Sequence, residues 1–219
     1  MTPGRTLVLL RHGRTAYNHA KRVQGQLDVE LDEVGRTQAE AVAPAVAALD
    51  PALLWSSDLA RARETAAYVE KATGLATTHD ERLREIHLGE RQDLTHEQYA
   101  ARAPEEFARF RRGDYDAALG GEPTAAVRAR MVAVLGDLLA ALGPGETGVA
   151  VSHGAAVRVA VGAVLGWPDD LFHTLRGLDN CGWVELREDP DAGCLRLAAY
   201  NRVVAPEGTP GFRFVEASG

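Results

Sequence analysis

Two short strings set a histidine directly before a glycine: Arg11-His12-Gly13 and Ser152-His153-Gly154. Each closes an apolar run, residues 6–10 and 148–152, that reads as a strand buried on both faces. Ligands in open α/β sheets collect outside the carboxyl ends of the strands, so two such ends could bring both histidines to one site. Glycine after each histidine lets the backbone turn sharply and a ligand come close. An imidazole there can attack phosphorus or hold an anion, and guanidiniums can fork onto oxyanions in a geometry lysine cannot copy. Of the 24 basic residues, all but Lys21 and Lys71 are arginine, although genome base composition is sufficient cause for that skew. A lone His-Gly is also explained by a turn; the wider string Arg11-His12-Gly13-Arg14-Thr15, Asn18, Arg22-Val23-Gln24-Gly25 is far more specific.

That string resembles the opening motif of the histidine phosphatase, or phosphoglycerate mutase-like, superfamily. The resemblance runs from about residue 5 to residue 200. Ser56 to Thr65 is similar to the family's second motif, Leu83 to Gly89 to the third, and Val151 to Gly154 to the fourth. The resemblance implies a catalytic set of Arg11, His12, Arg61, Glu85 and His153, with His12 accepting the phosphoryl group. It also implies that Thr15, Asn18 and Gln24 line the pocket beside Arg11, Arg61 and His153. No cofactor or metal is implied, and the seven histidines, scattered without paired carboxylates, do not read as a metal site.

The chemistry of these side chains agrees with those roles. A neutral imidazole at His12 can attack in line, its other nitrogen needing a fixed acceptor to hold the tautomer. Arg11 and Arg61 would grip the equatorial oxygens, Arg61 from the first turn of its helix, where free N–H groups favour an anion. Glu85 would protonate the leaving alkoxide and then activate water. His153 would hold a phosphate oxygen, as the imidazolium. Arg63, two positions past Arg61, is expected at the surface. Arg14 departs from the family's commoner acidic residue or Gln; it could touch a substrate carboxylate, but solvent exposure is the favoured reading. His87 could line the pocket or simply pack; His19, His79, His96 and His173 read as structural or surface residues.

The elements that must deliver these groups are legible in outline. Helical spacing marks residues 36–49, 124–142 and the stretch after His153, while residues 52–55 form a short strand candidate. Ser57 or Asp58 is the expected cap of a helix ending near Gly74. Residues 181–187 and 194–200 alternate as a terminal strand pair. Strands separated by helices predict a three-layer α/β/α sandwich around a mostly parallel sheet. Residues 1–219 read as a single domain, with a polar, helical, lid-like insertion at 91–122 and a loosely held tail after Pro206.

Composition narrows the classes. A net charge of −7 argues against a nucleic-acid binder, and no run approaches the ~18 apolar residues of a membrane span. Only four apolar residues, Leu7 to Leu10, precede Arg11, so no signal peptide is read, and two cysteines fit a reducing cytosol; the expectation is a cytoplasmic protein. A homodimer is left open. The short stretch from Gly89 to the helix at 124, and an end at Gly219, favour a phosphatase over a mutase of the family. The strings Gln24–Asp28, Leu83–Gly89 and Leu94–His96 are similar to members acting on glucosyl-3-phosphoglycerate, so small phosphosugar or phosphoglycerate-type esters are the expected substrates. After Gly89-Glu90, Arg91-Gln92-Asp93 replaces the Trp-Glu-Gly or Trp-Gln-Gly of many phosphatases of the family, a change at the start of the insertion. Phosphoglycerate mutase-type transfer and a non-catalytic phosphate binder are the alternatives; the presence of His12 and Glu85 speaks against the second.

Overall fold

The computed structural model describes residues 3–168, 171 and 174–204. His173 and the tail after Pro206 lie outside the described residues. The chain alternates as β1 (Thr6–Arg11), α1 (Ala16–His19), α2 (Glu33–Ala47), β2 (Pro51–Ser56), α3 (Ala60–Thr73) and β3 (Thr77–His79). It continues with α4 (His96–Arg102), α5 (Pro104–Arg111), α6 (Thr124–Ala141), β4 (Thr147–Ser152), α7 (Gly154–Val164), β5 (Trp183–Asp189) and β6 (Cys194–Arg202). The described strands form one sheet in the order β3-β2-β4-β1-β5-β6. The β3, β2, β4 and β1 strands run parallel, and β5 and β6 close the far edge antiparallel. Helices cover both faces, as expected for the three-layer sandwich.

The apolar run of β1 is continuous because alternate residues enter opposite layers. Leu7 and Leu9 join a core with Met131, Leu135 and Leu138 of α6 and Val157, Ala160 and Val161 of α7. Val8 and Leu10 join the other core, with Val42 and Val46 of α2 and Ala62, Ala66 and Val69 of α3. The α2 helix begins earlier than its apolar spacing suggests. Asp32 accepts the Gly35 N–H at 2.8 Å, adding a polar first turn to the amphipathic stretch.

The cap expected for α3 is different. Its N-cap is Leu59, without a side-chain cap bond; Asp28, far back in the chain, accepts the Ala60 N–H at 2.6 Å. Asp58 is engaged elsewhere, by both Nε and Nη2 of Arg84. The helix stops at Gly74, whose φ of 75° is left-handed.

Residues 91–122 contain α4, α5 and a 3-10 turn at Tyr115–Ala117. A Thr95 capping box starts α4, and Pro104 opens α5. Tyr99, Phe107, Phe110 and Tyr115 pack edge to face or stacked, and join the core shared with α6 and α7. Buried Arg91 pairs with Glu106 across this segment and lies over the Tyr99 ring, a structural use of the residue that replaces the family's Trp. Just before the segment begins, Gly89 has φ 52°, and an added Cβ would meet the carbonyl oxygen of Leu119, near the segment's end, at 2.1 Å, so the two ends pass each other at backbone distance. No helix among the described residues is long and apolar enough to cross a membrane.

Candidate active site

The adjacent strands β1 and β4 are parallel and paired Arg11↔Ser152, so their next residues, His12 and His153, emerge side by side. The two rings lie 5.1 Å apart, centroid to centroid. Both are buried. His12 Nδ1 is 2.7 Å from the Gly13 carbonyl oxygen. A carbonyl can only accept, so Nδ1 carries the proton and Nε2 keeps its lone pair. Burial, then the positive charges of Arg61 and Arg11, holds the His12 pKa well below its usual value. The imidazole is therefore held neutral, with its Nε2 lone pair available.

His153 sits behind His12, fully buried, and is absent from the pocket wall itself. Its Nε2 is 2.9 Å from Ser57 Oγ, which also receives the Leu59 N–H at 3.3 Å. Its Nδ1 is buried without a partner among the described residues. Burial, and then Arg61, lower its pKa well below the ordinary value in the anion-free site. In these surroundings His153 is a neutral group, and only a bound anion would favour its protonation.

The arginines are held by carbonyls, not carboxylates. Arg61, fully buried, donates to Leu27 and Gly25 carbonyls at 2.8 Å each, and burial lowers its pKa to about 10. Arg11 donates to the Leu178 carbonyl. In both, Nε is buried without a partner among the described residues. Arg11 and Arg61 both border one cavity, and two unpaired cationic N–H groups are donors suited to an oxyanion; His153, with its own unpaired Nδ1, packs against His12.

Glu85 faces them from the segment before α4. Its Oε2 accepts the Ala155 N–H at 3.1 Å, and its Oε1 the Ala156 N–H at 2.8 Å, both from the first turn of α7. The backbone beneath is clamped by Arg130 of α6, which donates to the carbonyls of Arg82, Arg84 and Glu85 at 2.7, 2.6 and 3.1 Å. Gln26 Nε2 adds a bond to the Glu85 carbonyl at 3.0 Å. A cavity of about 170 Å³ lies over these groups, lined by Arg11, His12, Arg61, Glu85 and Ala155, and by Asn18, Arg22, Gln24, His96, Phe110 and Tyr115.

Of the expected pocket residues, Asn18 and Gln24 are on that wall and Thr15 is not. Thr15 is fully buried because it caps α1: its hydroxyl accepts the Asn18 N–H at 3.1 Å and donates to Gln24 Oε1 at 3.0 Å. It fixes the two groups that do reach the cavity. Arg14 is half-buried and paired with Asp32 at 2.8 Å, not solvent-exposed as expected. Arg63, His19 and His79 are exposed. His87 Nδ1 accepts the Gly89 N–H at 3.2 Å, off the cavity wall. His96, read as structural or surface, lines the cavity and packs on Phe107 and Phe110. His96 and Ser57 lie in strings singled out above, but nothing there gave them these contacts, and no short spacing signalled Arg130 or Tyr115; the partners that place them come from other elements. Among the described residues, no group of three or more His, Cys, Asp or Glu side chains is placed to hold a metal ion.

This sheet order with two strand-end histidines defines a phosphoglycerate mutase-like α/β phosphoryl-transfer fold. A model of the histidine phosphatase superfamily (branch 1) matches residues 7–201, and the chain belongs to that family as a phosphomonoester hydrolase. It is 42% identical over 189 residues to the glucosyl-3-phosphoglycerate phosphatase of Mycobacterium tuberculosis (strain H37Rv), covering 83% of this chain and 85% of that protein. The solved structure of mycobacterial glucosyl-3-phosphoglycerate phosphatase with VO3 is similar at a TM-score of 0.84 and 40% identity, covering 90% of this chain and 98% of that one. The probable phosphoglycerate mutase GpmB of Yersinia pestis (strain Pestoides F) is 35% identical over 189 residues, covering 83% of this chain and 85% of that protein.

Proposed function

We propose that this chain removes the phosphate from a glycosylated phosphoglycerate, glucosyl-3-phosphoglycerate or a close analogue, with His12 as nucleophile. The observation that carries the chemistry is the His12 Nδ1 contact to the Gly13 carbonyl, which leaves the Nε2 lone pair free beside two arginines. The observation that suggests the substrate is the likeness to the M. tuberculosis phosphatase over most of both chains.

In the first step Nε2 of His12 attacks phosphorus, a P–N bond forms and the P–O bond to the substrate breaks. Arg11 and Arg61 hold the equatorial oxygens through their unpaired Nε–H groups. Ser57 accepts the Leu59 N–H and turns its own proton to His153 Nε2, leaving Nδ1–H of His153 as a third donor. Glu85 gives its proton to the departing alkoxide. In the second step water attacks phosphorus, Glu85 takes the water proton, and the P–N bond breaks to release phosphate and free His12. Asn18, Gln24 and His96 bind the rest of the substrate, and the 91–122 segment covers it as a lid.

The test is rapid quench with labelled glucosyl-3-phosphoglycerate, together with a panel of phosphate esters. An acid-labile, base-stable adduct is expected in the wild type and none in His12→Ala. A normal adduct in that variant removes His12 from the role. Faster turnover of unglycosylated esters than of glucosyl-3-phosphoglycerate removes the substrate assignment alone. Net conversion of 3- to 2-phosphoglycerate exceeding phosphate release would favour the mutase reading.

A further inference from the structure

Tyr115 is 6% exposed and borders the cavity beside Arg11, Glu85 and Ala155. Its hydroxyl oxygen accepts a hydrogen bond from Arg158 Nη1 at 3.0 Å, and the guanidinium carbon lies 5.9 Å from the ring centroid. Phe110 meets the ring edge to face at 5.8 Å. The phenol is thus gripped on two sides. Arg158 stands on α7, the helix whose first turn holds the Glu85 carboxylate, so one rigid element sets the relative positions of Glu85 and Tyr115.

A tyrosine hydroxyl has one proton to give. Here its oxygen is already an acceptor, and the bond from Arg158 is its one hydrogen bond among the described residues. The proton is left to point away from Arg158, and the other charged groups felt at the hydroxyl are Glu85 and Arg11. Burial raises the phenol's pKa, so it remains a donor at neutral pH. Glu85 marks the side of the cavity where, in the phosphatase reading on which this inference rests, the alkoxide departs.

We propose that Tyr115 is a further substrate-contacting residue, its O–H donating to the leaving-group oxygen of the phosphomonoester, and that Arg158 is the positioning residue that aims it. The donor complements Glu85: one group gives a proton, the other a hydrogen bond to the same developing charge. Such a bond matters when the departing oxygen is strongly basic and hardly at all when it is a stabilised phenolate. Tyr115 therefore tunes the site toward alkyl esters.

The experiment compares β-glycerophosphate with p-nitrophenyl phosphate in the full chain. Tyr115→Phe, which keeps the ring and its packing, should lose about 5–10-fold in kcat/KM on the alkyl ester and less than about twofold on the aryl ester. Arg158→Met should fall in the same direction by a smaller factor. Added to Tyr115→Phe it should cost nothing more, because its effect passes through the hydroxyl. Equal losses on both esters, or none on either, overturn the leaving-group contact. A full additional loss in the double variant overturns the positioning role of Arg158. His12→Ala, run alongside, separates the readings: its loss of phosphoenzyme keeps His12 as nucleophile whatever Tyr115→Phe does.

Discussion

The proposed mechanism asks Glu85 for two proton transfers from one fixed position. Its two oxygens rest on the N–H groups of Ala155 and Ala156, so it cannot swing away, yet it borders the cavity opposite His12. If it donates to the departing oxygen, its value depends on the help that oxygen needs. Glu85→Gln should slow phosphoryl transfer to His12 by ~10²–10⁴-fold for an alkyl ester and much less for p-nitrophenyl phosphate. The measurement is the pre-steady-state burst, because hydrolysis of the phosphoenzyme slows for both. Equal slowing of both bursts would reduce Glu85 to a positioning residue. His12, Arg11, Arg61 and Glu85 were readable in the sequence because each lies in a compact string of matching residues. Ser57 was readable only as a possible helix cap, since its bond to His153 joins residues 96 positions apart. His96 has a comparable history: beside Leu94 and Thr95 it looks like a solitary ring, and only the folding of α4 and α5 turns it toward the cavity.

At the scale of elements, the decisive contact is between α6 and the segment carrying Glu85. Arg130 spends its guanidinium on three carbonyls there and on Glu122, with Nε to Glu122 at 2.7 Å. Arg130→Met should leave those acceptors partly unsatisfied, lowering stability by about 1–3 kcal/mol in denaturant titration. It should also let Glu85 drift, and a displacement near 1 Å costs on the order of 10²-fold in rate. Vanadate affinity, which the proposed mechanism assigns to Arg11, Arg61 and His153, should change by only about twofold. A large loss of vanadate binding would mean that the whole site, and not Glu85 alone, had collapsed. The main elements followed from apolar periodicity because both faces of the sheet are covered. The β3 strand did not, since its three residues, Thr77 to His79, are largely exposed and pair along one edge only. The start of α3 was equally hidden, its first N–H being satisfied by Asp28 from a distant loop.

For the molecule as a whole, the two strand-end histidines tie stability to pH. Both have pKa values lowered by burial and by the neighbouring arginines, while in the unfolded chain they titrate near the ordinary value of about 6.5. Below that value the unfolded chain binds protons that the folded one refuses. Stability is thus complete above pH ~6.5 and falls as the pH drops toward the folded-state values, by up to about 1.4 kcal/mol per pH unit for each histidine. Urea titrations from pH 7.5 to 5.5 should show this slope, and His12→Asn should make it shallower. An unchanged slope in that variant would place the acid sensitivity elsewhere. The pairing of β1 with β4 has a further consequence. His12 and His153 sit one residue beyond two hydrogen-bonded strands at the centre of the sheet, flanked by β2 on one side and β5 on the other. Interior strands are the last to open in native-state hydrogen exchange. The spacing between His12 and His153 is therefore expected to be lost only with the sheet itself. On heating, the two rings should separate in the same transition that unfolds the sheet, whereas Glu85, held from α6 and α7, can be displaced before it.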